Sequence, residues 1–306
     1  MDKQKFWDPL GEVIDIHSYE IQKEKHLKSL TYYQNDPNRI NDVTVKLAII
    51  PVVVILFFLL ITHDAPIGFI IWCIAISFFP VGIYRFTISN LQQNLALLLM
   101  CQKQNWVFYS EDEPKRMKML EERYPHQFVH GHSRTIADQI WGHDETGKTS
   151  FWRTTFRYVT GSGKNRSTHY KSIYMLPLPK NIETSFILSR RLVAVFEHKI
   201  KTESEEFNKM YSIKADAESS TEMARILKVL SPSVQVRLID VARLSRLQSI
   251  SFLNNAIVFE FNSDDLNLSY TNFSKKVEID PRDVGNLTSL IHSLVAVPNE
   301  LLSFID

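Results

Sequence analysis

Apolar positions are clustered very unevenly along the chain. Residues 45 to 84 hold two long apolar runs: Val45 to Thr62, with Lys46 its only charge, and Ile67 to Tyr84, which has none. At 1.5 Å per helical residue either run reaches roughly 27 Å, close to the hydrocarbon thickness of a bilayer. Thr62-His63-Asp64-Ala65-Pro66 separates them and leaves room only for a tight turn. Neither run keeps the polar stripe that a helix packed in a soluble core retains. The pattern predicts a transmembrane helical hairpin over residues 45–86; Trp72, Tyr84 and Lys46 fit a membrane, the last two near the interface with Lys46 snorkelling outward.

Outside the hairpin the pattern is that of a soluble α+β chain. Residues 1–44 are read as a polar N-terminal segment with an amphipathic helix over His17 to Tyr33, and residues 87–133 as a membrane-proximal helical region. In the latter, Leu91, Leu95, Leu98 and Leu99 keep helical spacing, Trp106 to Tyr109 is a short strand, and Glu113 to Tyr124 is a helix stopped by Pro125. Residues 134–306 form the main domain. Its first part predicts an antiparallel meander of Arg134 to Trp141, Ser150 to Thr160 and Ser167 to Leu176, with Gly-containing turns between them. Phe207 to Ala215 alternates as a strand. Ser219-Ser220-Thr221-Glu222 is a capping box for a helix burying Met223, Ile226, Leu227 and Leu230. Ser231-Pro232 opens another helix. Asn254-Asn255 turns a hairpin between Gln248–Leu253 and Ala256–Phe261, and Pro281 to Val295 closes the chain as a helix carrying Val284, Leu287, Leu290, Ile291 and Leu294.

Charge adds orientation. Lys23, Lys25, Lys28, Arg39 and Lys46 lie before or at the start of the first run, and Arg85, Lys103, Lys115, Arg116 and Lys118 follow the second. The connecting turn has no Lys or Arg, so both termini are expected in the cytoplasm and the turn outside. The formal net charge of +1 over 306 residues gives no electrostatic case for nucleic acid. The two cysteines, Cys73 inside the second run and Cys101 beyond it, suggest neither a disulfide nor a metal framework. The first run is too long and too far along the chain for a cleavable signal, and it is expected to act as its own insertion signal.

Candidate chemistry is sparse. Gly142-His143-Asp144-Glu145-Thr146-Gly147-Lys148-Thr149 matches the phosphate-binding P-loop pattern letter for letter. That chemistry needs a buried strand before the loop and a helix after it, so that backbone amides cradle the phosphates. Here a half-polar stretch precedes, and β-branched and aromatic residues follow, which favours a hairpin turn with Gly147 at positive φ. Gly161-Ser162-Gly163-Lys164 reads as a hairpin loop for the same reason. His126, His130, His132 and His143 are dense enough to weigh a metal, and His130 and His132 would share one face of a strand. No cysteine or carboxylate stands at a diagnostic spacing, so surface histidines are preferred and no metal or cofactor is assigned. Lys164, Arg166 and Lys171 are candidate contacts for anionic lipid heads, and Arg237, Arg243 and Arg246 form a second basic set. No nucleophile arrangement stands out, and no catalytic residue is assigned.

Glu205-Glu206-Phe207-Asn208-Lys209-Met210-Tyr211-Ser212-Ile213, Ala224-Arg225-Ile226-Leu227, Leu230-Ser231-Pro232 and Ser251-Phe252-Leu253-Asn254-Asn255-Ala256-Ile257 follow one another in an order that resembles an uncharacterised bacterial family, domain of unknown function 3137. Leu-Ser-Pro stands where the family pattern has Leu-Thr-Pro. The resemblance covers the last third in motif and most of the chain in layout. It implies a two-span protein of the bacterial inner membrane and supplies no activity or functional residue. The expectation is therefore a membrane-anchored, non-enzymatic interaction or scaffold module, with membrane lipid and a protein partner or second copy as its contacts. The alternatives are a nucleotide-binding enzyme using residues 142–149 and a structural subunit of a membrane assembly, for which Gly68, Ala75, Ser77 and Gly82 offer small helix-contact residues.

Overall fold

The structure is a computed structural model and describes residues 6–12, 24, 28, 97, 98, 100–109, 113–144, 147, 149–178, 180–190, 200–215, 219–244, 247–262 and 281–305. Both apolar runs and nearly all of the His17–Tyr33 stretch lie outside the described residues. Among the described residues no helix is long and apolar enough to cross a membrane. Contacts divide the chain into a unit of residues 1–16, 101–267 and 281–306 and another of 17–100 and 268–280. Of the second, Glu24, Lys28, Leu97, Leu98 and Met100 are described, all helical.

The first unit is α+β, built on an eight-stranded antiparallel sheet. In chain order its elements are β1 (Val107–Tyr109), α1 (Pro114–Arg123), α2 (Pro125–Phe128), β2 (His132–His143), β3 (Ser150–Thr160), β4 (Ser167–Pro177), β5 (Phe186–Arg190), α3 (Glu205–Met210), β6 (Tyr211–Lys214), α4 (Ser220–Val229), α5 (Pro232–Leu244), β7 (Leu247–Phe252), β8 (Ala256–Phe261) and α6 (Pro281–Ile305). The strands lie in the order β1-β2-β3-β4-β8-β7-β5-β6. The meander and the closing hairpin fall where the β-type runs and their turns place them, and β8 adds to β4 to join them into one sheet. The sheet does not begin at residue 134, because β1 pairs with β2 (Phe108 opposite Ile140) and extends the sheet back across that boundary.

Register sorts the side chains into two faces. Arg153 opposes Tyr174, Tyr174 opposes Phe259, Phe259 opposes Ile250, Ile250 opposes Leu188 and Leu188 opposes Ile213. This face is mostly apolar and is covered by α5 and α6; the Tyr211 hydroxyl donates to the Leu238 carbonyl at 2.8 Å. On the other face, Trp152 opposes Trp141 on β2 and Met175 on β4. There α2 packs Phe128 against Trp152 and Phe156, with ring centroids 6.4 and 5.3 Å away. Gln127 donates to Ser251 Oγ at 3.0 Å. The apolar letters of α6 are accounted for, since Leu287, Leu290, Ile291 and Leu294 are all buried.

Three local expectations change. Residues 205–210 are helical, because Ser204 caps them by accepting the Phe207 N–H at 3.2 Å and Glu205 and Glu206 occupy the first turn; the strand starts only at Tyr211. In α4 the capping box forms, with Ser219 Oγ accepting the Glu222 N–H at 3.2 Å. The helix then buries Ile226 and Leu230 as expected and half-buries Met223, whereas Leu227 stays exposed and Val229 is buried in its stead. The Asn254-Asn255 hairpin closes without a left-handed residue, and its carbonyls are taken up by the amides of Ile182 and Leu178, both at 2.9 Å.

Candidate functional site

The most developed polar site is built by residues far apart in sequence. Residues 6–12 lie along the domain as a strap, held at Asp8. The Asp8 carboxylate pairs with Arg116 of α1 and accepts the Trp141 indole N–H at 2.9 Å; its other oxygen accepts the Leu10 amide at 2.8 Å. The Asp8 side chain is 0 % exposed and that of Arg116 6 %. Arg116 also bonds Glu12 at 2.8 Å and lies 5.3 and 5.5 Å from the ring centroids of Trp141 and Trp152. Its guanidinium is thus surrounded by carboxylate oxygens and indole faces, both of which favour its charge. Tyr124 completes the grip by donating its hydroxyl to the Pro9 carbonyl at 2.9 Å, and burial pushes that phenol above its ordinary pKa. In sequence, residues 1–44 read as a polar segment with one amphipathic helix over His17 to Tyr33, and nothing assigns structure to residues 6–12. The signal that could have found the strap is Phe6-Trp7 and Pro9-Leu10, an apolar quartet around a single acid.

Next to the strap lies the stretch that spells the P-loop pattern. It is a hairpin turn: β2 ends at His143 opposite Ser150, and β3, not a helix, follows. The Asp144 amide donates to the Thr149 carbonyl at 2.9 Å, the Thr149 amide to Asp144 Oδ1 at 3.0 Å, and Gly147 has φ +69°. The turn borders a cleft of about 540 Å³ lined by Lys103, Asn105, Trp106, His143, Asp144 and His292, among others. Its opposite wall is α6, where Thr288, Ile291 and His292 share one face by helical spacing. A further part of the lining follows the helix that ends at Lys103. The Trp106 amide donates to the Cys101 carbonyl (2.8 Å) and the Asn105 amide to that of Gln102 (3.3 Å), with Asn105 left-handed at φ +57°. This double closure is what an Asn at that position provides. The Trp106 indole N–H then donates to the His143 carbonyl at 3.0 Å.

His143 is held by Ser150 Oγ at Nδ1 (3.0 Å) and by the ring of Phe6, whose centroid is 5.1 Å away. Its Nε2 is buried and makes no hydrogen bond. Burial lowers its pKa and the Asp144 carboxylate partly offsets this.

The remaining sequence candidates are dispersed. His132 bonds the Gly161 carbonyl at 2.9 Å, and His130 lies over the Tyr158 ring with centroids 5.7 Å apart. His143 stands at the other end of the twelve-residue β2, about 35 Å from His132 at strand rise. Among the described residues no group of three or more His, Cys, Asp or Glu could hold a metal ion. Lys164 and Arg166 are exposed on the loop between β3 and β4. Lys171 does not share their surface: it is 5 % exposed and its ammonium sits 2.9 Å from Glu260, so it is not available to a lipid head. In the second basic set, Arg237 pairs with Glu300 at 3.3 Å and Arg243 with Glu206 at 2.5 Å. Arg153, not singled out by sequence, is fully buried and bonds the Asp138 carbonyl at the β2 bulge (3.0 Å), Thr155 (2.7 Å) and Ser172 (3.0 Å).

No family model matches the chain, and no curated protein does. Among solved structures the chain is similar to the mycobacterial trehalose monomycolate transport factor A, TtfA, at 6 % identity and a TM-score of 0.35, over 66 % of this chain and 95 % of that one. A likeness that distant carries no argument about fold or activity.

Proposed function

We propose that the chain is a membrane-tethered, non-enzymatic interaction module of the bacterial inner membrane, with a hairpin at residues 45–86 and its α+β domain in the cytoplasm. The strap carries this reading. Residues 6–12 precede the two apolar runs, residues 101–306 follow them, and Asp8 and Arg116 hold the two flanks together as a buried ion pair. Flanks that pack on each other lie on the same side of a membrane, so the chain between them crosses an even number of times. Two runs of bilayer length satisfy that count. The absence of Lys and Arg from the turn at residues 62–66 favours the cytoplasm for both flanks. The resemblance to the two-span family described above accords with the same layout.

Single cysteines introduced at Asp64 and Lys164 of the full chain, labelled in intact cells with an impermeant maleimide, test it. Position 64 should react and position 164 should react only after lysis. Labelling of both or of 164 alone overturns the topology. The native Cys101 adds no background, since burial drives its thiol pKa far up despite the nearby Arg153 charge.

A further inference from the structure

We propose that the groove holding residues 6–12 is a recognition site for an acidic Asp-Pro-x-Gly turn, and that it accepts this turn from a second copy of the chain. A second copy is then a partner of the interaction module proposed above, and only that role rests on the earlier reading. The strap folds itself before it binds anything. Asp8-Pro9-Leu10-Gly11 places Asp first, Pro second and Gly fourth, the order a type I turn favours, and the Gly11 amide closes it on the Asp8 carbonyl at 3.0 Å. Asp8 Oδ1 braces the same turn by accepting the Leu10 amide at 2.8 Å and the Glu12 amide at 3.3 Å. Gly11 takes the left-handed conformation at φ +75°. One carboxylate oxygen thus holds the turn, which leaves the other oxygen and the Pro9 carbonyl to face the domain.

The domain supplies the matching donors. Asp8 Oδ2 accepts from the Arg116 guanidinium and the Trp141 indole, and the Tyr124 hydroxyl donates to the Pro9 carbonyl. Among the described residues the strap is the sole hydrogen-bond partner of the Trp141 indole N–H and the Tyr124 hydroxyl. With the strap away, Arg116, 6 % exposed beside two indoles, keeps only Glu113, at 3.8 Å. A buried cation and two orphaned donors make an empty groove unfavourable, so it calls for a carboxylate-bearing turn whichever chain brings it. The polar contacts join residues 104 to 133 positions apart. None of them depends on chain continuity, and the strap of a second copy would make the same set. Only the effective concentration conferred by residues 13–100 favours a chain's own strap.

Two differently tagged full-length variants in a neutral detergent test the exchange. Asp8→Ala keeps the groove and spoils the turn; Arg116→Ala keeps the turn and spoils the groove. Mixed together they should co-isolate, whereas either variant mixed with a second tagged form of itself should not. A synthetic peptide of residues 6–12 should bind the Asp8→Ala chain and raise its unfolding midpoint. The native chain should bind that peptide at least about tenfold more weakly, because the resident strap competes. The Asp8→Asn peptide should also lose at least about tenfold, since an amide cannot brace the turn and accept from both Arg116 and Trp141. Gly11→Val loosens the resident strap through backbone strain alone, as a Cβ there meets nothing within 4 Å, and that chain should take up the peptide as well. No peptide binding by either loosened chain, or equal binding of the Asp and Asn peptides, overturns the site. Peptide binding without co-isolation of the mixed pair overturns the second copy as its occupant. Neither readout depends on which side of a membrane the domain occupies, so a failed topology and a failed groove are told apart.

Discussion

Asp8 joins a backbone turn, an indole and a guanidinium in one carboxylate, and its loss is felt at all three. Breaking a buried ion pair from one side typically costs about 3–5 kcal/mol, because the remaining charge stays desolvated. Asp8→Ala should lie near the lower end of that range, since Glu12 and Glu113 still face Arg116 at 2.8 and 3.8 Å. Glu12→Ala, whose side chain is 43 % exposed, should cost less than about 1 kcal/mol. Denaturant unfolding of the full chain in detergent, followed by tryptophan fluorescence, separates the two. Histidines set a pH dependence in the same range of scale. His130 and His143 both have lowered pKa values: His130 chiefly through burial and next through Lys171, His143 through burial against the opposing Asp144. A depressed histidine pKa means that the unfolded chain takes up protons first. Stability is therefore fully present above the unfolded value of about 6.5 and falls as pH drops through the folded values. Unfolding midpoints should decrease from pH 7.5 to pH 5, and His130→Gln should flatten the slope. None of the Asp8 site could be read locally, because it pairs residues 108 positions apart. Lys171 misled for a related reason: a lysine in a strand of mixed polarity looks like surface until Glu260 is placed across from it.

At the level of elements, what was legible is what short-range chemistry decides. The β-branched and aromatic runs of β3 and β4, the Ser219 capping box and the apolar face of α6 all reside in a few adjacent letters, and all appear where those letters put them. Less legible were α3, where a cap outvotes alternating side chains, and β5, whose Phe186–Arg190 run is short and gains its ladder only from β6 and β7. The P-loop letters show the same division, since the pattern is shared by two architectures and only the element after it decides. Two turn glycines make this testable. Gly147 and Gly161 are both left-handed, at φ +69° and +72°. A Cβ on Gly147 would meet nothing within 4 Å, whereas one on Gly161 would stand 2.2 Å from the Asn165 carbonyl oxygen. Gly147→Ala should cost about 1–2 kcal/mol from backbone conformation alone. Gly161→Ala should cost clearly more, because backbone must also move. Equal melting shifts for the two variants would contradict the turn geometry.

For the whole molecule, the two ends of the sheet differ in make-up. The end at His143 gathers the strap, the cleft and the flanks of the apolar runs; the end at His132 carries the exposed loop with Lys164 and Arg166. Sequence weighed the basic residues correctly as charges and could not assign them to ends, since that depends on strand register over the full length of β2 to β4. The strap also has a consequence for the order in which the molecule is made. Asp8 leaves the ribosome 108 residues before Arg116 does, an interval of about 5–20 s at ordinary elongation rates. On the proposed topology the whole hairpin is synthesised and inserted within that interval, while Asp8 waits on the cytoplasmic face. The ion pair closes only if the second crossing has brought the chain back to that face. On that topology, a chain that inserts a single span strands its Arg116 across the bilayer from Asp8 and leaves the Trp141 indole N–H without its carboxylate acceptor.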